Sequence, residues 1–488
     1  MAESIEQIDP TAEISIETVK KRAVAGVAIL TGRTFLIQAI SLIATALLTI
    51  LLDPAQYGVF FLVSAVINFL AYFGDIGFAA SLIQKKEKLT DLDLRTIFTI
   101  QQILIILIIF LIVTITPFIK SLYGFGDEAV FLLWALTFSL FLSSLKTIPA
   151  VLMERKLEFN KLVVPQIVET VIFNTTAVYF AWMGFGITSF TIAVLLRGVS
   201  GLVVTYILKP WLPQLSISGQ ALKSLLKFGI PYQLNTLLAM VKDDGMTLFL
   251  GSTLGPSGVG LLGWAQKWAF APLRFFMDQV IKVTFPAFSR LQDDKNELSA
   301  ALSKAIFFIC LLVFPALVML TLLAPSLVEI IPKYSKWSPA LAALMFLSIT
   351  SALAAVTTPL TNFFNAIGKI SVTFKLMIMW TILTWVIVPA LAVWFGVTGA
   401  ALGFSLVGTS SVVAMVVALK YVKINYLGIL GKPLIVSLVV GGVASVIRGM
   451  IDTSVLQVVV MIVAGAITYI IAVLILEPKI LSYLKTKN

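Results

Sequence analysis

The side chains of this sequence that could do chemistry are charges set where apolar residues would be expected. Between Phe228 and Leu291, two apolar runs joined by the turn Leu254–Gly260 carry Lys242, Asp243, Asp244, Lys267, Arg274 and Asp278. A charge at the bilayer centre costs at least ~2.5–3.5 kcal/mol on insertion scales, so such residues are expected to face a protein interior or a wet cavity. Lys267, Arg274 and Asp278 are spaced i, i+7 and i+11. At 100° per residue they fall within about 40° of one another, on one helix face. The stretch is therefore expected to help line a transport pathway. The competing reading is neutralisation. Lys267 lies about as deep from the turn as Asp243 and Asp244, so a pair there is geometrically cheap, and Arg33 and Asp75 lie at similar depths on adjacent runs. With Glu169 and Arg197 added, five basic residues in apolar runs (Arg33, Arg197, Lys242, Lys267, Arg274) meet five acids (Asp75, Glu169, Asp243, Asp244, Asp278). That balance is neutral and does not by itself favour an anionic substrate.

The absence of certain residue types narrows the chemistry further. Histidine is absent and Cys310 is the single cysteine. This excludes histidine general bases, Ser-His-Asp triads, histidine or thiolate-cluster metal sites and a disulfide framework. No enzyme and no cofactor are expected. Gly258–Gly263 spells GxGxxG, but it opens a helix with no strand before it, so it is not a dinucleotide site. Gly368-Lys369 has no phosphate-loop context. Asn174-Thr175-Thr176 is a formal glycosylation motif inside a helix, where polar packing is the expected role. Trp264, Trp268 and Phe275 are expected to pack in the core or face lipid rather than stack on sugars.

Membrane helices must hold these charges. The 488 residues are 59% hydrophobic and 12% charged, against about 25% charged in soluble domains, with a mean hydropathy of +1.03. Apolar runs near the ~20 residues a bilayer requires predict about fourteen spans. They cover 23–51, 57–83, 96–118, 129–145, 163–183, 187–208, a pair within 228–291, 305–323, 339–363, 372–395, 397–421, 433–450 and 455–476. The acidic segment Met1–Thr18 lacks the layout of a cleaved signal peptide, so the first helix is expected to be an uncleaved anchor. A Pro/Ser/Gly-containing linker, Lys209–Lys227, separates an N-terminal lobe (23–208) from a C-terminal lobe (228–421). A tail (1–22) precedes them, and a helix pair with its own tail (422–488) follows.

Assigning alternate loops to one side collects most lysines and arginines there, from Lys20-Lys21-Arg22 to Lys487. The other side keeps only Lys120, Lys333, Lys336 and Arg448. That asymmetry predicts an even helix count with both termini cytoplasmic, in a multi-pass protein of the cytoplasmic membrane. The formal charge of +11 is thus a topology signal, and no nucleic-acid partner is expected. Two echoes suggest duplication. Leu52-Asp53-Pro54-Ala55-Gln56-Tyr57-Gly58 is similar to Leu254-Gly255-Pro256-Ser257-Gly258-Val259-Gly260, and Phe185-Gly186-Ile187-Thr188 is similar to Phe395-Gly396-Val397-Thr398. Two six-helix lobes in a parallel, pseudo-two-fold repeat are expected, with the last two helices appended. Such repeats commonly place a substrate at their interface.

The motifs Leu52–Gly58, Asp75-Ile76-Gly77-Phe78-Ala79-Ala80-Ser81-Leu82-Ile83-Gln84-Lys85 and Met153-Glu154-Arg155-Lys156-Leu157-Glu158-Phe159 carry a resemblance. So do Phe228-Gly229-Ile230-Pro231, Leu254–Gly260 and Phe285-Pro286-Ala287-Phe288-Ser289-Arg290-Leu291-Gln292. The chain resembles the Wzx-type oligosaccharide flippases of the multidrug/oligosaccharidyl-lipid/polysaccharide exporter superfamily. The resemblance implies two six-helix lobes around a central cavity. It also implies alternating-access export of a polyprenyl-pyrophosphate-linked oligosaccharide, alongside membrane lipids, a polysaccharide polymerase and glycosyltransferases. On that reading Arg33 and Arg274, then Lys267 and Arg197, are the headgroup candidates, because a planar guanidinium can hold two phosphate oxygens. Asp75, Asp243, Asp244 and Asp278 are coupling or structural acids, with H+ or Na+ left open as coupling ion. The alternative is a cation antiporter of the multidrug and toxin extrusion type, whose site would favour acids such as Asp75 or Asp244.

Overall fold

The computed structural model describes residues 16–75, 77–85, 89–219 and 237–477; at 16–28, 84, 278, 279, 282 and 283 it describes the backbone alone. The tail before residue 16, the Lys20–Arg22 side chains, the Asp278 side chain, the linker beyond 219 and the motif Phe228–Pro231 lie outside that description. Among the described residues every regular element is helical, and eleven helices are long and apolar enough to cross a membrane. Their outward faces carry residues such as Phe110, Leu438 and Ile475, each more than 70% exposed. Water would oppose that surface, whereas lipid accepts it. The protein is an all-α, multi-pass membrane protein. By its contacts the chain divides into two compact units, Met1–Pro256 and Ser257–Asn488.

In the first unit, α1 (Ile16–Leu51) packs on α7 (Phe159–Trp182), and α7 packs on α8 (Thr188–Leu208). Helix α2 (Pro54–Ala71) and α8 both lie on α5 (Asp127–Leu145). Asp53 starts α2 by a capping box with Gln56, and Pro54 occupies the first turn, where its missing N–H costs nothing. The span expected over 57–83 is not continuous. After α2 and a 3₁₀ turn the chain breaks at Asp75, whose carboxylate accepts the Phe78 N–H at 2.7 Å, and a short helix, α3 (Phe78–Gln84), follows. Hydropathy carried the run through because Phe78–Ile83 is as apolar as α2. The side-chain cap set the break.

Helix α4 (Asp91–Tyr123) opens on a reciprocal Thr90–Asp93 box, and Lys85 pairs with Asp93 at 2.8 Å. Helix α6 (Thr147–Arg155) occupies part of the expected loop. Its Arg155 donates to the carbonyls of Leu82 and Lys85 at 2.8 and 2.7 Å, binding a cation at the C-terminal end of α3.

A π-helical turn, Val241–Gly245, leads into α9 (Met246–Arg290), which breaks at Gly255 with φ 67° and ψ 176°. Only glycine adopts that backbone readily. A single residue therefore breaks the helix here.

The second unit continues with α10 (Lys295–Ile330), α11 (Leu341–Ala366), α12 (Ile370–Thr409), α13 (Ser411–Ala418), α14 (Tyr426–Met450) and α15 (Val455–Leu476). Its core holds Phe288, Ile306, Cys310, Leu360, Phe363 and Phe364, all fully buried. The expected turn at Phe395–Thr398 is a one-residue break in α12 at Gly396, with φ 58°. Helix α14 packs on α10, and α15 on α14.

Candidate functional site

Helix α9 beyond its break is oriented by its apolar stripe. Leu262, Ala265, Ala269 and Leu273 recur at helical spacing and are buried. Their burial fixes the helix rotation, so Lys267 and Arg274, one above the other, are left exposed. Among the described residues of the second unit neither has an acidic partner. Trp264 belongs to the packed side. It stacks on Trp337 with ring centroids 5.5 Å apart and donates Nε1–H to the Tyr334 hydroxyl at 3.2 Å. Trp264 is thus a core residue, and Phe275 is exposed beside Arg274.

The first unit treats its charges differently. Arg33 of α1 donates Nη1–H to Gln166 Oε1 of α7 at 2.6 Å. Its expected partner Asp75 instead caps α3. One turn along α7 from Gln166, Glu169 is 14% exposed and holds two cations. Its Oε1 accepts from Lys146 Nζ, at the end of α5, and its Oε2 lies 3.6 Å from Arg197 Nε of α8. The Arg197 guanidinium sits over the Phe173 ring, 5.8 Å from its centroid. Helix α8 comes close to α7 here because position 201 is glycine: a Cβ there would lie 1.9 Å from Glu169 Oε1. Asn174, buried, donates to the Thr170 carbonyl at 2.8 Å, which is the polar packing expected of it.

The two aspartates of the π-helical turn are also spoken for. Asp243 pairs with its neighbour Lys242 at 2.5 Å, and Asp244 shares a hydrogen bond with Asn68 of α2. Depth along the helices suggested Lys267 as their partner. The partners found within the first unit are Lys242 and Asn68. Lys146 and Gln166 were missed in the sequence. Lys146 reads as a loop lysine, although the i, i+3 spacing of Gln166 and Glu169 already puts both on one face of α7. Among the described residues no group of three metal-ligating side chains converges. The arrangement can therefore act through charge and hydrogen bonding: it can hold an oxyanion or lock helices together.

Comparison with known proteins agrees with this architecture. The chain is 25% identical to "Lipopolysaccharide biosynthesis protein WzxC" of Escherichia coli (strain K12) over 387 residues, 77% of this chain and 76% of that protein. It is 22% identical to "Succinoglycan biosynthesis transport protein ExoT" of Rhizobium meliloti (strain 1021) over 90% of each. Among solved structures, "Lipid II flippase MurJ, inward closed conformation" superposes with a TM-score of 0.72 at 15% identity, covering 96% of this chain and all of that one. An inward-facing multidrug resistance MATE family transporter of the MOP superfamily gives 0.59 at 17% identity, over 79% of this chain and 92% of that one. At such identities the structural likeness is one of fold. The family model described as "Polysaccharide biosynthesis protein" matches residues 47–342, more than half of the chain. By that match the chain belongs to the polysaccharide biosynthesis protein family.

Proposed function

We propose that the chain is a flippase moving a polyprenyl-pyrophosphate-linked oligosaccharide across the cytoplasmic membrane by alternating access, for polysaccharide or O-antigen assembly. The observation that carries this reading is the pair Lys267 and Arg274. Two like charges on one face of a helix in a membrane protein, with no acidic partner among the described residues of their unit, repel each other and are costly at membrane depth. A diphosphate arriving there relieves both costs, and the arginine fork can take two of its oxygens. Arg33 and Arg197 are the further headgroup candidates in the first unit. Asp75, Asp243, Asp244 and Asp278 are assigned to coupling or structure, with H+ or Na+ as the coupling ion. Both termini are placed in the cytoplasm, where the glycosyltransferases would supply the substrate; the polymerase would receive it on the other side.

The test is complementation in a strain lacking the chromosomal copy. Lys267→Gln with Arg274→Gln, and separately Arg33→Gln, should abolish surface polymer while the protein persists in the membrane at wild-type level. Wild-type polymer in the Lys267/Arg274 double variant would overturn the reading. Drug resistance conferred by the intact protein without polymer export would favour the antiporter.

A further inference from the structure

We infer that the Lys146–Glu169–Arg197 cluster is a second oxyanion-binding site, and that Glu169 is its built-in occupant, a carboxylate that a phosphorylated headgroup displaces. The inference rests on the flippase reading only for the identity of the ligand.

A plain ion pair joining α5, α7 and α8 would use its donors up. This cluster does not. Lys146, Arg197 and Arg33 come from three different helices to one face of α7, where Gln166 and Glu169 stand one turn apart. Two cations meet a single carboxylate, and Arg33 stands on Gln166, one turn along α7. Arg197 is 52% exposed and approaches Glu169 only through Nε at 3.6 Å, beyond ordinary hydrogen-bond length. Among the described residues the two Nη groups of its fork have no acceptor. Phe173 beneath the guanidinium holds its plane in place without consuming a donor. Arg33 also has donors to spare: its Nε is buried and has no acceptor. Excess donors and excess positive charge around one carboxylate are what a diphosphate needs, and one carboxylate cannot satisfy them.

Glu169 lies ten residues into α7, roughly 15 Å along the helix from its start at 1.5 Å per residue. The position lies well inside a helix long and apolar enough to cross a membrane. It is well placed for a headgroup in passage whose lipid tail stays in the bilayer. Gly201 adds to the case, because its missing side chain is the space the Glu169 carboxylate fills.

The experiment is binding of inorganic pyrophosphate, and of farnesyl diphosphate and farnesyl monophosphate in nanodiscs, to the purified full-length protein. Titration calorimetry measures affinity, and a thermal melt establishes that each variant is folded. Glu169→Gln should bind both diphosphates at least tenfold more tightly than wild type, and adding Lys146→Gln or Arg197→Gln should remove the gain. Tightening for farnesyl diphosphate alone assigns the site to a lipid headgroup. Tightening for inorganic pyrophosphate as well assigns it to the diphosphate itself. A folded Glu169→Gln protein that binds no more tightly than wild type overturns the inference. If that variant does not fold, Glu169→Asp, which withdraws the carboxylate by one methylene, decides: unchanged affinity overturns it and tighter binding supports it. Failure here leaves export by Lys267 and Arg274 standing. Tight binding in a protein whose Lys267/Arg274 variant still exports would overturn the export reading and keep this site.

Discussion

The two units of this protein hold some of their charges in different ways. In the first, the acids are engaged: Asp75 and Asp93 cap helices, Glu169 holds two cations, Asp243 holds Lys242 and Asp244 meets Asn68. In the second, Asp294 caps α10 and Glu477 pairs with Lys432, while Lys267 and Arg274 stand on an exposed face with no acid of that unit engaged to them among the described residues. A count over the apolar runs finds balance and misses this. Asp243 and Asp244, which count against Lys267 and Arg274, belong to the first unit and have partners there. A ligand of the first unit must therefore displace a carboxylate, whereas Lys267 and Arg274 have none of their own unit to displace among the described residues.

That contrast can be broken by measurement. The largest effect is expected from Glu169→Leu, which strands Lys146 and Arg197. Stability in detergent should fall by about 2–3 kcal/mol, below the range for a fully buried pair because Lys146 and Glu169 keep some contact with solvent. A fall under ~1 kcal/mol would show that the first unit does not depend on its pairs. Next come the joints. Asp53, with φ −82°, turns the chain into α2 in a conformation any residue adopts, whereas Gly255 and Gly396 do not. Gly255→Ala and Gly396→Ala should each cost ~1–3 kcal/mol, read as a lowered melting midpoint, while Asp53→Ala should lose only the cap.

Smaller again is Asp93→Ala, which removes a capping box and the Lys85 pair. It should cost about 1–2 kcal/mol, and equal melting of wild type and variant would refute the cap. The smallest effect on stability is expected from Lys267→Gln with Arg274→Gln: within ~0.5 kcal/mol of wild type, or slightly positive as repulsion is relieved. A clear loss of stability there would mean that these cations also hold structure, and the contrast would fail.

Much of the architecture could be read from hydropathy, because lipid allows little else. The run expected at 455–476 is α15 residue for residue, and the run expected at 187–208 differs from α8 by one. Gly186 and Gly396, the matched glycines of the two Phe-Gly echoes, both take positive φ, 52° and 58°. What escaped reading depends on rotation about the helix axis or on a single side chain. Depth arguments placed Arg33 beside Asp75, yet rotation gave Arg33 to Gln166 and Asp75 to a helix start. Trp264 read as a core or lipid-facing residue, and Trp337, more than seventy positions away, decides for the core. The π turn at Val241–Gly245, which carries Asp243 and Asp244, leaves no hydropathic trace.

Helix α9 has a further consequence, for how the protein is made. Beyond its break at Gly255, α9 carries the basic residues Lys267 and Arg274 within one helix. Lysine or arginine near the middle of a segment costs a further ~2.5–3.5 kcal/mol each when that segment partitions alone from the translocon. On emerging from the ribosome, α9 should therefore wait beside helices already inserted and enter the membrane with α10. If so, replacing Lys267 and Arg274 with leucine should speed insertion of a truncated nascent chain ending at Arg290, even as it removes the two charges the finished protein keeps exposed.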